Sequence, residues 1–488
     1  MHSKYGAAGW LFLAILFSGS AVSAQIRVPR LVSDGMVLQR EIPIRIWGFG
    51  TPGEKVTVKF DGETASSVTA DNGKWIVLLS PKKAGGPYTM DIDGINHIWL
   101  KNIMVGEVWA CFGQYNMELP MEQVSAQYAD LIAHADNAPI RQFHILERYD
   151  YKGPRENVSS GHWETATPSS VGSFSALGYL FARQLYDHYH VPVGLINASV
   201  ADAPAEAWLS PSALGSFPGY ASAATRYADS SFAEGKGPAD RMAPGGLQNG
   251  MVAPAATYTV RGILWYQGEA NVQRPGDYQG LLATLINDFR RWWSEGDLPF
   301  IYVQLEGHGP VKQQPEESQW AELREAQRLA LGQPGVAMTV AADLSDSGDL
   351  RPKDFEELAR RLFLAAGDVA YGKGNTIYTG PLYRSMKAHG KIMHVLFDDL
   401  NTGLIVKGGG ELKGFEIAGA DHRFLPAKAL IDGKKVYVWN DAIPHPMAVR
   451  YAWADNPAGA NLFNRDILFK DGLPAPSFEG GVKTKIRQ

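Results

Sequence analysis

The chain has one cysteine, Cys111, in 488 residues, so no disulfide can form within it and packing must supply its stability. It has no basic excess either. Lys and Arg number 46 against 51 Asp and Glu, a net charge of −5, which leaves no electrostatic footprint for nucleic acid. Past the first two dozen residues, no apolar run approaches the roughly 20 residues that cross a bilayer. The 12 histidines show no His-Glu-x-x-His spacing, so no metal is expected and no cofactor is implied. Fixed-period repeats and low-complexity stretches are absent too, which excludes a solenoid.

What is present is a globular composition, 45% hydrophobic and 20% charged, on a chain long enough for two or three domains. Lys4, the apolar run Trp10 to Phe17 and the small residues Val22-Ser23-Ala24 read as a signal peptide over 1–24, cleaved before Gln25. The expectation is a secreted or periplasmic protein with no stable membrane span.

Residues 25–101 read as a β-sandwich-like domain. Ile42 to Trp47 and Val56 to Phe60 alternate as strands do, and Asp61-Gly62 and Asp71-Asn72-Gly73 mark turns. Pro43 confines the first of these to an edge. The texture changes at 102, where apolar runs begin to alternate with helical periodicity. This pattern predicts an α/β domain over 102–378 with a buried parallel sheet and helices on both faces. The predicted strands are Glu107 to Cys111, Val193 to Ile196, Gly262 to Trp265, Phe300 to Leu305 and Val336 to Ala341. The predicted helices are Ser175 to Tyr189, Tyr278 to Trp293, Gln319 to Leu331 and Asp354 to Ala366, with Ser175 and Asp354 as caps. From 379 to 488 the β pattern returns, with strands at Ile392 to Phe397, Gly414 to Gly419 and Lys435 to Trp439.

In an open α/β sheet the ligand lies beyond the carboxyl ends of the strands. The residues at those positions are Gln114, Tyr115, Asn116 and Glu118; Asp202 and Glu206; Gln267, Glu269 and Asn271; Glu306 and His308; and Asp343, Asp346, Asp349 and Arg351. This polar, acid-rich crown suits carbohydrate. Asp343, Asp346 and Asp349 lack the register of a calcium loop. A lone His308 in a Gly-rich loop reads as a turn residue, and Cys111 as a buried strand residue.

Glu107 to Met117, which contains Gly113-Gln114-Tyr115-Asn116-Met117, resembles the nucleophile block of the sialate O-acetylesterase family, secreted SGNH-type hydrolases that remove acetyl groups from sugars. The likeness extends through Leu31 to Arg40, Ser175 to Tyr179, Pro192 to Ile196, Trp265 to Asn271, Arg450 to Trp453 and Asn461 to Asn464. It implies an SGNH-hydrolase-like α/β fold flanked by β-rich segments. It also implies a serine nucleophile, a histidine base in an Asp-x-His-Pro run and a Gly-Gly-Thr turn at the oxyanion hole. Here those positions hold Tyr115, Arg351 (in Asp349-Leu350-Arg351-Pro352) and Ala201-Asp202-Ala203. Arginine stays protonated and cannot serve as a base, and a carboxylate at Asp202 would repel an oxyanion. Glu206 and Trp208 match the family's Glu-x-Trp and read as structural.

A tyrosine backed by acids, with an arginine for a substrate carboxylate, matches the sialidase set of residues. The favoured expectation is therefore a glycosidase acting on acidic, sialic-acid-type glycans. Tyr115, Asp202, Glu269 and Asp349 are the expected catalytic residues, and Arg351, Gln114, Asn116, Gln267 and Asn271 the substrate-binding ones. The alternatives are a carbohydrate or sialate O-acetylesterase with unusual catalytic residues, a uronate-glycan lyase, and a non-catalytic glycan-binding protein.

Overall fold

A computed structural model describes residues 25–137, 139–220, 243–344, 351–372, 377–465 and 472–481. The signal-peptide reading, Asp346 and Asp349 fall outside them. The amino-terminal part contributes β1 (Val37–Gln39), β2 (Ile44–Phe49), β3 (Lys55–Phe60), β4 (Glu63–Val68), β5 (Lys74–Leu79) and β6 (Gly85–Asp93). Next comes β7 (His97–Gly113), a 17-residue strand. Then follow β8 (Ile140–His144), β9 (Trp163–Thr165), β10 (Val193–Ser199), β11 (Gly262–Tyr266), β12 (Phe300–Gln304) and β13 (Val336–Val340).

The amino half of β7 pairs antiparallel with β6 and its middle parallel with β1. Its carboxyl half sits at the centre of a sheet ordered β13-β12-β11-β7-β10-β8-β9, parallel except for the β8–β9 pair. The change of texture at residue 102 thus falls inside one continuous strand. Buried residues from Ile26 to Ala366 form a single apolar core around it. β2 begins just after Pro43 and pairs with β5 along its length, with a single further bridge from Phe49 to Arg27.

Alternation along β7 sends its aromatic residues to opposite faces. Trp109 meets Phe181 of the helix Ala176–Tyr189 edge-on at 5.2 Å. Phe112 meets Phe289 of the helix Pro275–Trp293, also at 5.2 Å. Helices therefore cover both faces of the sheet, an α/β architecture as the sequence predicts. Ser175 caps the first helix by accepting from the Gly178 N–H at 3.1 Å. Asp354 caps Phe355–Val369 by accepting from the Glu357 N–H at 2.9 Å. The carboxyl-terminal region forms two four-stranded antiparallel sheets that share a second core including Met393, Phe415, Val436 and Phe478. No helix among the described residues is long and apolar enough to cross a membrane.

A buried carboxylate ties the lower end of this assembly together. Glu107, inaccessible in mid-β7, accepts hydrogen bonds from Arg40 at 2.5 Å, Arg261 at 3.1 Å, the Tyr371 hydroxyl at 3.0 Å and Gln39 at 3.2 Å. Removing one partner of a buried ionic cluster strands the others without solvent. Glu107→Ala should therefore cost about 3–5 kcal/mol of unfolding free energy, read as a large fall in the denaturant midpoint. A shift within about 0.5 kcal/mol, the size of a surface substitution, would show that the cluster is not a structural tie.

Candidate functional site

The carboxyl ends of β7, β10 and β11 bring three sequence blocks together at the position where ligands bind such sheets. Gly113 makes the junction possible. Its φ is +143°, and a Cβ there would lie 2.0 Å from the Tyr266 carbonyl oxygen, the atom that accepts the Gln114 N–H at 2.9 Å. Gln114 Oε1 faces the N–H groups of Gly268 and Ala270, each at 3.4 Å. Glu118 accepts the Ala201 N–H at 2.5 Å. Asn271 Oδ1 accepts from Ala205 N at 2.9 Å and Gln267 Nε2 at 2.7 Å, while its amide donates to Glu206 at 2.9 Å. Ser175 Oγ donates to the Met117 carbonyl at 2.7 Å, which fixes the helix against the first block.

Gln114, Gln267, Asn271, Glu118 and Glu206 are thus buried or half-buried girders of the site. The substrate-binding roles expected of Gln114, Gln267 and Asn271 meet side chains already committed to protein partners. The Ala201 N–H, at the family's Gly-Gly-Thr turn, is likewise spent on Glu118. Asp202 takes a left-handed backbone, φ 59°, which Asp tolerates better than most residues and which suits the glycine of the family pattern. Tyr115 opens a one-turn helix, Tyr115–Glu118, and its half-buried ring packs against the core. Arg351 is half-buried beyond β13, on the segment leading to the helix Phe355–Val369.

The acids dominate the electrostatics. Glu306, fully buried past β12, accepts from the Tyr266 hydroxyl and from the Asn116 amide at 3.4 Å. Glu269 keeps some surface exposed, yet both its carboxyl oxygens are buried and neither has a side-chain hydrogen-bond partner. Burial first, then the Glu306 charge and a smaller contribution from Asp202, lift its pKa to about 8. It is therefore largely protonated at neutral pH, as groups at working sites often are. Arg324, completely buried on the helix Gln319–Leu329, donates to the Glu306 carbonyl at 3.3 Å. Arg324 escapes a reading of strand ends because it lies on a helix, and Tyr266, the last residue of β11, matters through a partner, Glu306, that only the fold brings to it.

Several expectations resolve as structural. Glu206 pairs with Arg274 at 2.5 Å. Trp208 is buried against Phe112 and Trp265. The His308 ring lies beside Trp320 at 5.2 Å. Asp343 is held by Arg361 at 2.6 Å, and no cluster suited to a metal occurs among the described residues. Burial pushes the Cys111 thiol up to about 12, so it stays protonated and inert.

Comparison with known proteins identifies the class. Residues 105–362 match the family described as carbohydrate esterase, sialic acid-specific acetylesterase. Human sialate O-acetylesterase is 28% identical over 515 residues, covering 96% of this chain and 95% of the human protein. The mouse protein of that name is 28% identical over 536 residues, covering 96% and 97%. The crystal structure of a carbohydrate acetylesterase from Xanthomonas citri superposes with a TM-score of 0.83 at 35% identity, covering 93% of this chain and 99% of that one. The chain belongs to the sialic acid-specific acetylesterase family of carbohydrate esterases. This overturns the glycosidase expectation: the family and these relatives cleave esters, so the tyrosine and acids do not signify a sialidase.

A pH dependence of stability follows from the acids. A carboxyl whose folded pKa lies above its unfolded value stabilises the fold fully below the unfolded value, and that contribution disappears as pH rises through the folded one. For Glu269 the window runs from 4.5 to about 8. Burial also lifts Glu295 and Glu416 to about 7 each, so they act in the same direction. Chemical-denaturation midpoints should fall as pH rises through this window, and less steeply in Glu269→Gln. Identical slopes for the two proteins would refute the assignment.

Proposed function

We propose that the protein hydrolyses O-acetyl esters on carbohydrates of the sialic-acid type, with water as the nucleophile. The observation behind this reading is the likeness to carbohydrate acetylesterases over nearly the whole chain. The serine and histidine of such enzymes are replaced by Tyr115 and Arg351, so the reaction needs another proton donor and acceptor. Glu269 offers the donor. Held protonated below about pH 8, its carboxyl turns from its covered position toward the bound ester and hydrogen-bonds the developing oxyanion in place of the spent backbone donor. Asp202 takes the proton of the attacking water as the new carbon–oxygen bond forms. Glu269 then gives its proton to the sugar oxygen as the ester bond breaks, and proton return from Asp202 resets the pair.

Acetate release from an O-acetylated sialic acid should fall about a hundredfold in Glu269→Gln, the usual size of a lost acid–base contribution. In the wild type it should decline above about pH 8. Tyr115→Phe should leave the rate within about threefold, since no phenol attacks the carbon. Release that is insensitive to Glu269→Gln would rule out this mechanism.

One observation favours a second reading, recognition of the acetylated sugar without turnover: the Ala201 N–H is consumed by Glu118, and Asn271 is fully committed elsewhere. Saturable binding of the same sugar with no acetate released would select it. We further propose export from the cytoplasm, on the strength of the amino-terminal segment. Sequencing of the mature protein should then begin at Gln25, and a retained amino terminus would refute export by cleavage.

A further inference from the structure

The crown has a neighbouring cavity that this chemistry leaves unused. It encloses about 290 Å³ beside the carboxyl end of β13, room for a single sugar unit. Asp343 and Lys353 line it from the α/β side; Lys407, Tyr451 and Phe463 line it from the carboxyl-terminal β region. The site is therefore built from two parts of the chain, and neither part makes it alone.

Its charge runs against its surroundings. Asp343 is the acid of the lining, and buried Arg361 already grips both its oxygens, at 2.6 and 2.8 Å. Lys407 stands farther away, its Nζ 3.8 Å from the same carboxylate and 4.6 Å from the centre of the Phe463 ring. That ring steadies the ammonium at the cavity wall. Lys353 is exposed and completes the lining. Two lysines thus line the cavity with one carboxylate that is already paired to Arg361, itself shared with Glu357 at 2.8 Å, in a protein of net charge −5 whose adjacent crown is acidic. A fixed positive pocket in such a setting attracts an anion.

We propose that this cavity is a subsite for a carboxylate-bearing sugar unit adjoining the one that carries the ester, with Lys407 and Lys353 receiving the carboxylate. The proposal rests on the carbohydrate-ester reading of the neighbouring site. It also moves the anion-binding role expected of Arg351 to these two lysines.

The test uses two probes without an ester, the methyl glycosides of glucuronic acid and of glucose, titrated into the full chain at low salt and followed by ligand-observed NMR. The wild type should bind the acidic glycoside about threefold or more tightly than the neutral one, and added salt should narrow the gap. In Lys353→Ala/Lys407→Ala the preference should vanish, while Lys407→Arg should keep it. A wild type that does not favour the acidic glycoside overturns the proposal, as does a preference that survives the double substitution. Loss of the preference in Arg351→Ala with both lysines intact also overturns it. Since neither probe carries an acetyl group, a protein that releases acetate but shows no acid preference keeps its esterase reading and loses only the subsite.

Discussion

Two guanidinium groups, a phenol and an amide converge on the Glu107 carboxylate in the middle of β7. Everything else is arranged around the strand they hold. The lower half of β7 is a member of the amino-terminal antiparallel sheet, and its upper half is the centre of the parallel sheet. A carboxylate buried there would be untenable alone, because its desolvation outweighs any single pairing. Arg40 comes from the amino-terminal region, Arg261 from the start of β11 and Tyr371 from beyond the last long helix. The cluster thus ties together segments distant in sequence. The register of β7 fixes where Gly113 falls, and with it the first block of the site.

At the upper end of the same strand the charge problem is reversed. Glu306 and Asp202 both lie within electrostatic reach of Glu269, and burial removes the water that would screen the Glu269–Glu306 pair. Glu306 is held by the Tyr266 hydroxyl, so Glu269 takes up the repulsion by keeping its proton. Pairs of acids separated in this way are how one environment supplies both a donor and an acceptor.

Sequence revealed the parallel strands because burial on both faces leaves near-continuous apolar runs, so β10, β11, β12 and β13 lie within a few residues of expectation. It did not reveal β8. Ile140-Arg141-Gln142-Phe143-His144 looks half polar, yet Arg141 is buried and donates to the Gly35 and Asn102 carbonyls at 2.7 and 2.6 Å. Only the fold brings those acceptors into reach. The site blocks were recognisable as motifs, but which of their side chains are girders was not. Gln114, Gln267 and Asn271 look like ligand-facing amides until their partners are seen. The proton affinity of Glu269 depends on Glu306, a neighbour in space alone.

Arg324 gives the carboxyl-terminal region an unexpected part in this. Its guanidinium is wholly buried, and burial lowers its pKa to about 10. It makes hydrogen bonds to Ser477 Oγ at 3.0 Å and to the carbonyls of Ala452, Ala454 and Asp455, along with that of Glu306. The last β segments thus serve as the solvent of a cation that sits behind the acid cluster. A fragment trimmed to the α/β sheet would leave that charge facing either open water or a void. The boundary a protein engineer would choose by eye, between the two cores, therefore cuts through the coordination shell of a buried ion.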